Sequence, residues 1–138
     1  VVVMPGLSKL NDKEFIRAFQ VTDGIIQNNQ PLFMLTWIGS IIAILSSILI
    51  AIIFVGISET WLIILVGVVY LLGVQGITIS IHIPLNNHLQ QVNIDELNEE
   101  KLSEERIKFE KKWNNFNIIR TVIAFSVSVI LLLILAIR

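Results

Sequence analysis

Three long runs of this chain carry no Asp, Glu, Lys or Arg: residues 32–55, 61–83 and 121–137. A bilayer hydrocarbon core about 30 Å thick is crossed by roughly 20 residues of helix. The first two runs meet that length outright. The third meets it once residues 118–120 are added, which sets Arg120 at its boundary. Runs of this length exceed a buried strand or an ordinary core helix. They are internal and repeated, which excludes a cleaved signal peptide. In lipid every backbone N–H and C=O must be satisfied within the segment, so the runs should be helices. The expected fold is all-α: a multi-pass membrane helix bundle forming one domain over residues 1–138. The opening "VVVMPGL" starts inside an apolar stretch. We therefore expect a further helix before Val1, making four spans instead of three.

The connections differ in kind. "GISET" (56–60) reads as a tight hairpin. Residues 7–30 read as an interface-lying helix. Its "NDKE" (11–14) resembles a capping box, and Phe15, Ile16, Phe19 and Ile26 follow helical spacing. Pro31 suits the first turn of the next helix. Residues 86–117 form a long polar connection. Asn93 with Glu96 could cap a short helix there, and Ser103 with Glu104 and Glu105 could start the helix that becomes the last span.

Charge is scarce and unevenly placed. Charged residues make up 15% of the chain, against about 25% in a soluble domain. With two spans between them, residues 7–30 and 84–117 lie on one side. That side holds Lys9, Lys13, Arg17, Lys101, Arg106, Lys108, Lys111, Lys112 and the boundary Arg120, and the other holds only Arg138. Such asymmetry places the long connection in the cytoplasm of a cell-membrane protein. The net charge of −1 argues against a nucleic-acid partner. The absence of cysteine removes disulfides, thiolate nucleophiles and Cys-based metal sites.

Within the runs, small residues mark expected helix contacts: Thr36, Gly39, Ala43 and Ser46 or Ser47; Gly67, Gly73 and Gly76; Thr121, Ala124 and Ser128. Gln75, Thr78 and His82 share one face at offsets of three and four. Gln75 is mid-span, where an unpaired amide is expensive, so it should face the bundle interior or a wet cavity. Arg120 sits one turn inside a span, either as a functional group or as a snorkelling anchor. Asn117 and Trp113 share its face. Trp37, Trp61 and Trp113 all fall near predicted interfaces, as aromatic-belt residues do. His82 and His88 are six residues apart across Pro84, which is no helical ligand pair, and no metal is expected.

The segments "VMPGL" (3–7), "PLNN" (84–87) and "WNNFNIIRT" (113–121), in this order, resemble the anthrone-oxygenase-like family of small integral membrane proteins. The resemblance implies a four-helix membrane bundle. Its matching positions are Pro5, Pro84, Leu85, Asn86, Trp113, Asn117 and Arg120. In this arrangement a helix ending at Pro84–Asn87 and one entering at Trp113–Arg120 meet at a bundle mouth, a common place for a ligand.

Two readings of that mouth follow. In the first, the protein oxidises an apolar aromatic small molecule without a cofactor. His82 or His88 acts as base, and Arg120, Asn117 and Asn86 stabilise the oxyanion. Gln75, Thr78, Trp113, Pro84, Asn87 and His88 would line the substrate site. In the second, the polar residues tie helix ends together in a non-catalytic module. Such a module would bind lipid, quinone or another small molecule, or serve as a subunit of a membrane assembly. The bilayer is the expected partner in both, along with an apolar small molecule and a second copy of the chain.

Overall fold

The computed structural model describes residues 3–28 and 30–137. Among these, every regular element is helical. They are α1 (Val3–Leu7), α2 (Asp12–Gln27), α3 (Pro31–Val55), α4 (Ile57–Tyr70), two π-helical segments (Leu71–Gly76 and Thr78–His82), α5 (Ile83–Gln90) and α6 (Glu99–Ile137). Three stretches are long and apolar enough to cross a membrane: Pro31–Val55, Ile57–Gln90 and Glu99–Ile137. These contain the three runs expected from sequence. The expected helix before Val1 lies outside the described residues.

The chain parts into two compact units. One comprises residues up to 30 with Ser80–Asn117, and the other Pro31–Ile79 with residues from 118 onward. The first unit has a core of the soluble kind. Phe15, Ile16, Phe19, Leu89, Ile94, Leu102, Phe109 and Met4 are all buried together. Phe109 meets Phe19 edge-on at a centroid distance of 4.5 Å and Phe15 at 6.3 Å. Burying one such side chain stabilises by about 1.5–3 kcal/mol. So α2 does present Phe15, Ile16 and Phe19 on one face, and this face is covered by protein. Ile26 remains exposed. The capping box at its start is complete: Glu14 N–H donates to Asn11 Oδ1 at 2.9 Å, and Asn11 N–H to Glu14 Oε2 at 3.4 Å. Arg106 fastens the α1–α2 connection by donating to the Ser8 and Leu10 carbonyls and to Asp12, while its Nε bonds Glu110.

The second unit is built the other way round. No residue of α3 is buried, and Leu35, Phe54, Leu65, Leu72 and Leu132 are each more than half exposed. Such a surface is stable only where the solvent is itself apolar, so this is a membrane-embedded protein. The α3–α4 turn narrows to Gly56 alone, with φ +96°, a conformation that a side chain disfavours. Close approach then occurs at two glycines. A Cβ on Gly67 would stand 2.6 Å from Ile48 Cδ1, and one on Gly73 2.8 Å from Ile123 Cδ1. Of the other expected small residues, Gly39, Gly76 and Ala124 are half-buried. Thr36, Ala43, Ser47, Thr121 and Ser128 are exposed, and the hydroxyls of Thr36, Ser47 and Ser128 bond carbonyls of their own helix.

Three boundaries depart from expectation. Pro84 does not end its helix but sits in the first turn of α5, directly after π-helical turns. Proline supplies no N–H and collides with the carbonyl four residues back, and local π adjustment is one way helices accommodate it. Residues 93–96 form a turn, not a helix, with Asp95 N–H bonded to Asn93 Oδ1 at 3.3 Å. Ser103 is internal to α6. The cap is Asn98, whose Oδ1 accepts from Lys101 N–H at 2.9 Å, so the helix starts five residues earlier.

Candidate functional site

In the first unit, the end of the second π-helical segment, α5 and α6 bring three of the expected residues together: His82, Asn86 and Trp113. Trp113 Nε1 donates to Asn86 Oδ1 at 3.1 Å. The His82 ring lies 5.1 Å from the Trp113 ring, centroid to centroid, tilted by 60°. His82 is only 4% exposed. The fourth member is Asp23 of α2, 6% exposed. Its carboxylate accepts from Asn86 Nδ2 at 2.8 Å, Gln27 Nε2 at 2.7 Å and Gln90 Nε2 at 3.2 Å. Asp23 fixes which way the Asn86 amide points: the N–H side faces the carboxylate, so the carbonyl faces the indole. Gln20, one turn earlier on α2, donates to the Leu89 and Val92 carbonyls at 2.8 and 2.9 Å. It thereby satisfies the C-terminal end of α5 and holds the helix carrying Asn86 against α2.

The second unit gathers a separate polar set around the π turns. Gln75 is buried. Its Oε1 accepts from Trp37 Nε1 at 2.7 Å, and its Nε2 donates to Tyr70 OH at 2.9 Å and Ser40 Oγ at 3.1 Å. Tyr70 OH donates to Ser40 Oγ at 2.9 Å. Trp37, read from sequence as a belt residue, is thus a partner of Gln75. π turns occur often at functional sites. Here they coincide with the run holding Gln75, Thr78 and His82 and with Gly73 and Gly76. Arg120 Nη1 donates to Thr78 Oγ1 at 3.1 Å, and Thr78 returns its hydroxyl to the Val74 carbonyl at 2.7 Å.

The remaining expected residues are placed as follows. His88 is exposed and 2.6 Å from Glu105 Oε2. Asn87 and Pro84 are exposed, and Asn117 is half-buried on α6, one turn after Trp113. Among the described residues no three of His, Asp and Glu gather as metal ligands.

Sequence reasoning missed Asp23, Gln90, Ser40 and Tyr70. Asp23 had one available signal: it is an acid near the end of a helix whose neighbouring turns are apolar or amide-bearing, "FQVTDGIIQ". Ser40 stands next to Gly39, in the stripe of small residues expected to pack helices, and a lone serine there carries no signal of its own.

No curated protein and no solved structure matches the chain. A family model described as "Anthrone oxygenase" matches residues 33–130. The matched region carries "PLNN" and "WNNFNIIRT" and leaves out "VMPGL" and Asp23. With well over half of its length inside that match, this membrane-embedded chain belongs to the anthrone oxygenase family.

Proposed function

We propose that the chain oxidises an apolar aromatic C–H acid of the anthrone type, with His82 as the base. The observation that carries this reading is the buried His82 imidazole packed on Trp113, whose indole is oriented by Asn86 and Asp23. A flat aromatic wall beside a base suits a polycyclic substrate. His82 takes a benzylic proton, and the carbanion passes electrons to O₂ and becomes a hydroperoxide on reprotonation. Loss of the second benzylic proton with cleavage of the O–O bond leaves a ketone and water. One O₂ is consumed for each CH₂ converted to C=O. No cofactor is invoked. Asn117, in the first unit, supplies an amide donor for the developing oxyanion, while Asn86, its N–H side held by Asp23, orients the Trp113 wall. Arg120 enters as a tie to Thr78 within the second unit. We place the protein in the cell membrane with the 84–117 connection cytoplasmic, on the lysine and arginine asymmetry.

A second reading is a non-catalytic module that binds lipid, quinone or another small molecule. The closed network of Trp37, Ser40, Tyr70 and Gln75 favours it, because those polar groups bond one another as a structural tie would. Oxygen uptake separates the readings. Purified protein with a hydroxylated anthrone should consume O₂ faster than the spontaneous reaction. His82→Ala should lose a factor on the order of 10²–10⁴, the usual share of a general base. His88→Ala should leave the rate unchanged. Uptake at the spontaneous rate would overturn the oxygenase reading.

A further inference from the structure

The polar segments carry many charges, and several of their cations are already engaged. Arg106 pairs with Asp12 and Glu110, Lys13 and Arg17 share Asp95, and His88 meets Glu105. One stripe of α6 is different. Ile107, Lys108, Lys111, Lys112, Asn115 and Phe116 line a shallow groove of about 390 Å³. Their spacing of three and four puts them on one helical face. No carboxylate lines the groove. Lys108 reaches Glu104 only at 3.8 Å, with both side chains more than 60% exposed, so that pair is worth little. Among the described residues Lys111 and Lys112 have no carboxylate partner. Ile107 is 62% exposed in the same stripe, an apolar group that water does not reward.

We propose that this face of α6 holds the phosphate headgroup of an anionic lipid, with Lys111 and Lys112 as the main contacts and Lys108 behind them. Position along the chain selects a lipid. The apolar segment of α6 begins at Ile118, six residues after Lys112, or about 9 Å along a helix. The headgroup layer on each side of the hydrocarbon core is roughly 5–8 Å deep. Lysine stems lie along apolar surface while their ammonium groups reach toward charge, so Lys111 and Lys112 come to the depth of the phosphates. Ile107 and Phe116 give the groove an apolar edge. Three lysines within five residues beside a membrane span form a polybasic patch, which anionic lipids attract.

The test uses the full chain in neutral detergent, titrated with phosphatidylglycerol, phosphatidylcholine or inorganic phosphate, with bound lipid read by native mass spectrometry. Phosphatidylglycerol should be retained in preference to phosphatidylcholine. K111Q/K112Q should weaken retention roughly thirtyfold, from about a factor of five per lysine. K111R/K112R should retain the lipid. K9Q/K101Q, with the same loss of charge elsewhere, should stay within about twofold of wild type. If K111Q/K112Q does not fold, the single variants K111Q and K112Q replace it, each with a fivefold expectation. Equal retention of the two lipids, unchanged retention in K111Q/K112Q, or an equal loss in K9Q/K101Q would overturn the proposal. So would displacement of the lipid by millimolar phosphate, since the site would then be one for free anions.

Discussion

Replacing Asp23 should destabilise the first unit. The carboxylate is 6% exposed and accepts three amide hydrogen bonds. In Asp23→Ala those donors lose their acceptor. Gln27 is exposed and can turn to water, which leaves Asn86 and Gln90, both half-buried. Each stranded buried donor costs about 1–3 kcal/mol. Gln90 keeps its bond to the Gln20 carbonyl at 2.9 Å, which reduces its share. The expected loss is about 2–4 kcal/mol. Asp23→Asn keeps the shape and one acceptor oxygen but turns an N–H toward a neighbouring amide, and should lose about half as much. Because Asn86 orients Trp113, the indole beside His82 should also shift. Hydrogen exchange of α2 and α5 in detergent reads the stability, and Trp113 fluorescence in a Trp37→Phe, Trp61→Phe background reads the indole. A loss below about 0.5 kcal/mol for Asp23→Ala, with unchanged fluorescence, would refute the view that this carboxylate holds α2 and α5 together.

Other expectations are independent of that one. Gln75→Leu should cost about 1–3 kcal/mol, since interhelical hydrogen bonds in membranes contribute roughly 0.6–2 kcal/mol each and Gln75 makes two to α3, beside a third to Tyr70 of its own stretch. Resistance to unfolding in sodium dodecyl sulfate checks it, and a gain in resistance would contradict the assignment. Gly67→Ala should destabilise by about 1–3 kcal/mol through overpacking against Ile48, and Ile48→Ala in the same chain should recover much of the loss. If the two costs simply add, the contact is not what limits packing there. The Lys13 hydrogen bond and charge, with a smaller contribution from Arg17, hold the Asp95 carboxyl below its ordinary 3.8. A lowered folded pKa gives stability that is present above the unfolded value and lost as pH falls through the folded one. Lys13→Ala should therefore raise the Asp95 titration midpoint seen by NMR, and an unmoved midpoint would count against the pair.

The fold was legible where one physical rule dominates. Three uncharged runs leave a chain few alternatives, so α3, the helix through Ile57–Gln90 and the end of α6 follow from length and composition. The capping box at Asn11 was legible because it is local, with both partners within four residues. Asn98 was missed because Ser103 with Glu104 and Glu105 offers a competing local pattern, and local pattern does not say which cap wins. The π turns were not legible either, since they answer to Pro84 and to packing, not to hydrophobic period. The candidate site divides in the same way. His82, Asn86 and Trp113 could be named from residue type and position. Asp23 could not be joined to them, because its partner Asn86 lies 63 positions away and nothing local announces the contact. The face of α2 was readable as apolar, yet periodicity cannot say whether lipid or Phe109 covers it.

The central claim is that His82 removes a proton from carbon, and this can be measured without oxygen. The purified protein and an anthrone are held under argon in D₂O, and exchange of the benzylic protons for deuterium is followed by NMR. The account predicts exchange faster than the uncatalysed rate in wild type, falling by a factor on the order of 10² or more in His82→Ala and unchanged in His88→Ala. Exchange at the uncatalysed rate, or equal rates in wild type and His82→Ala, would contradict it.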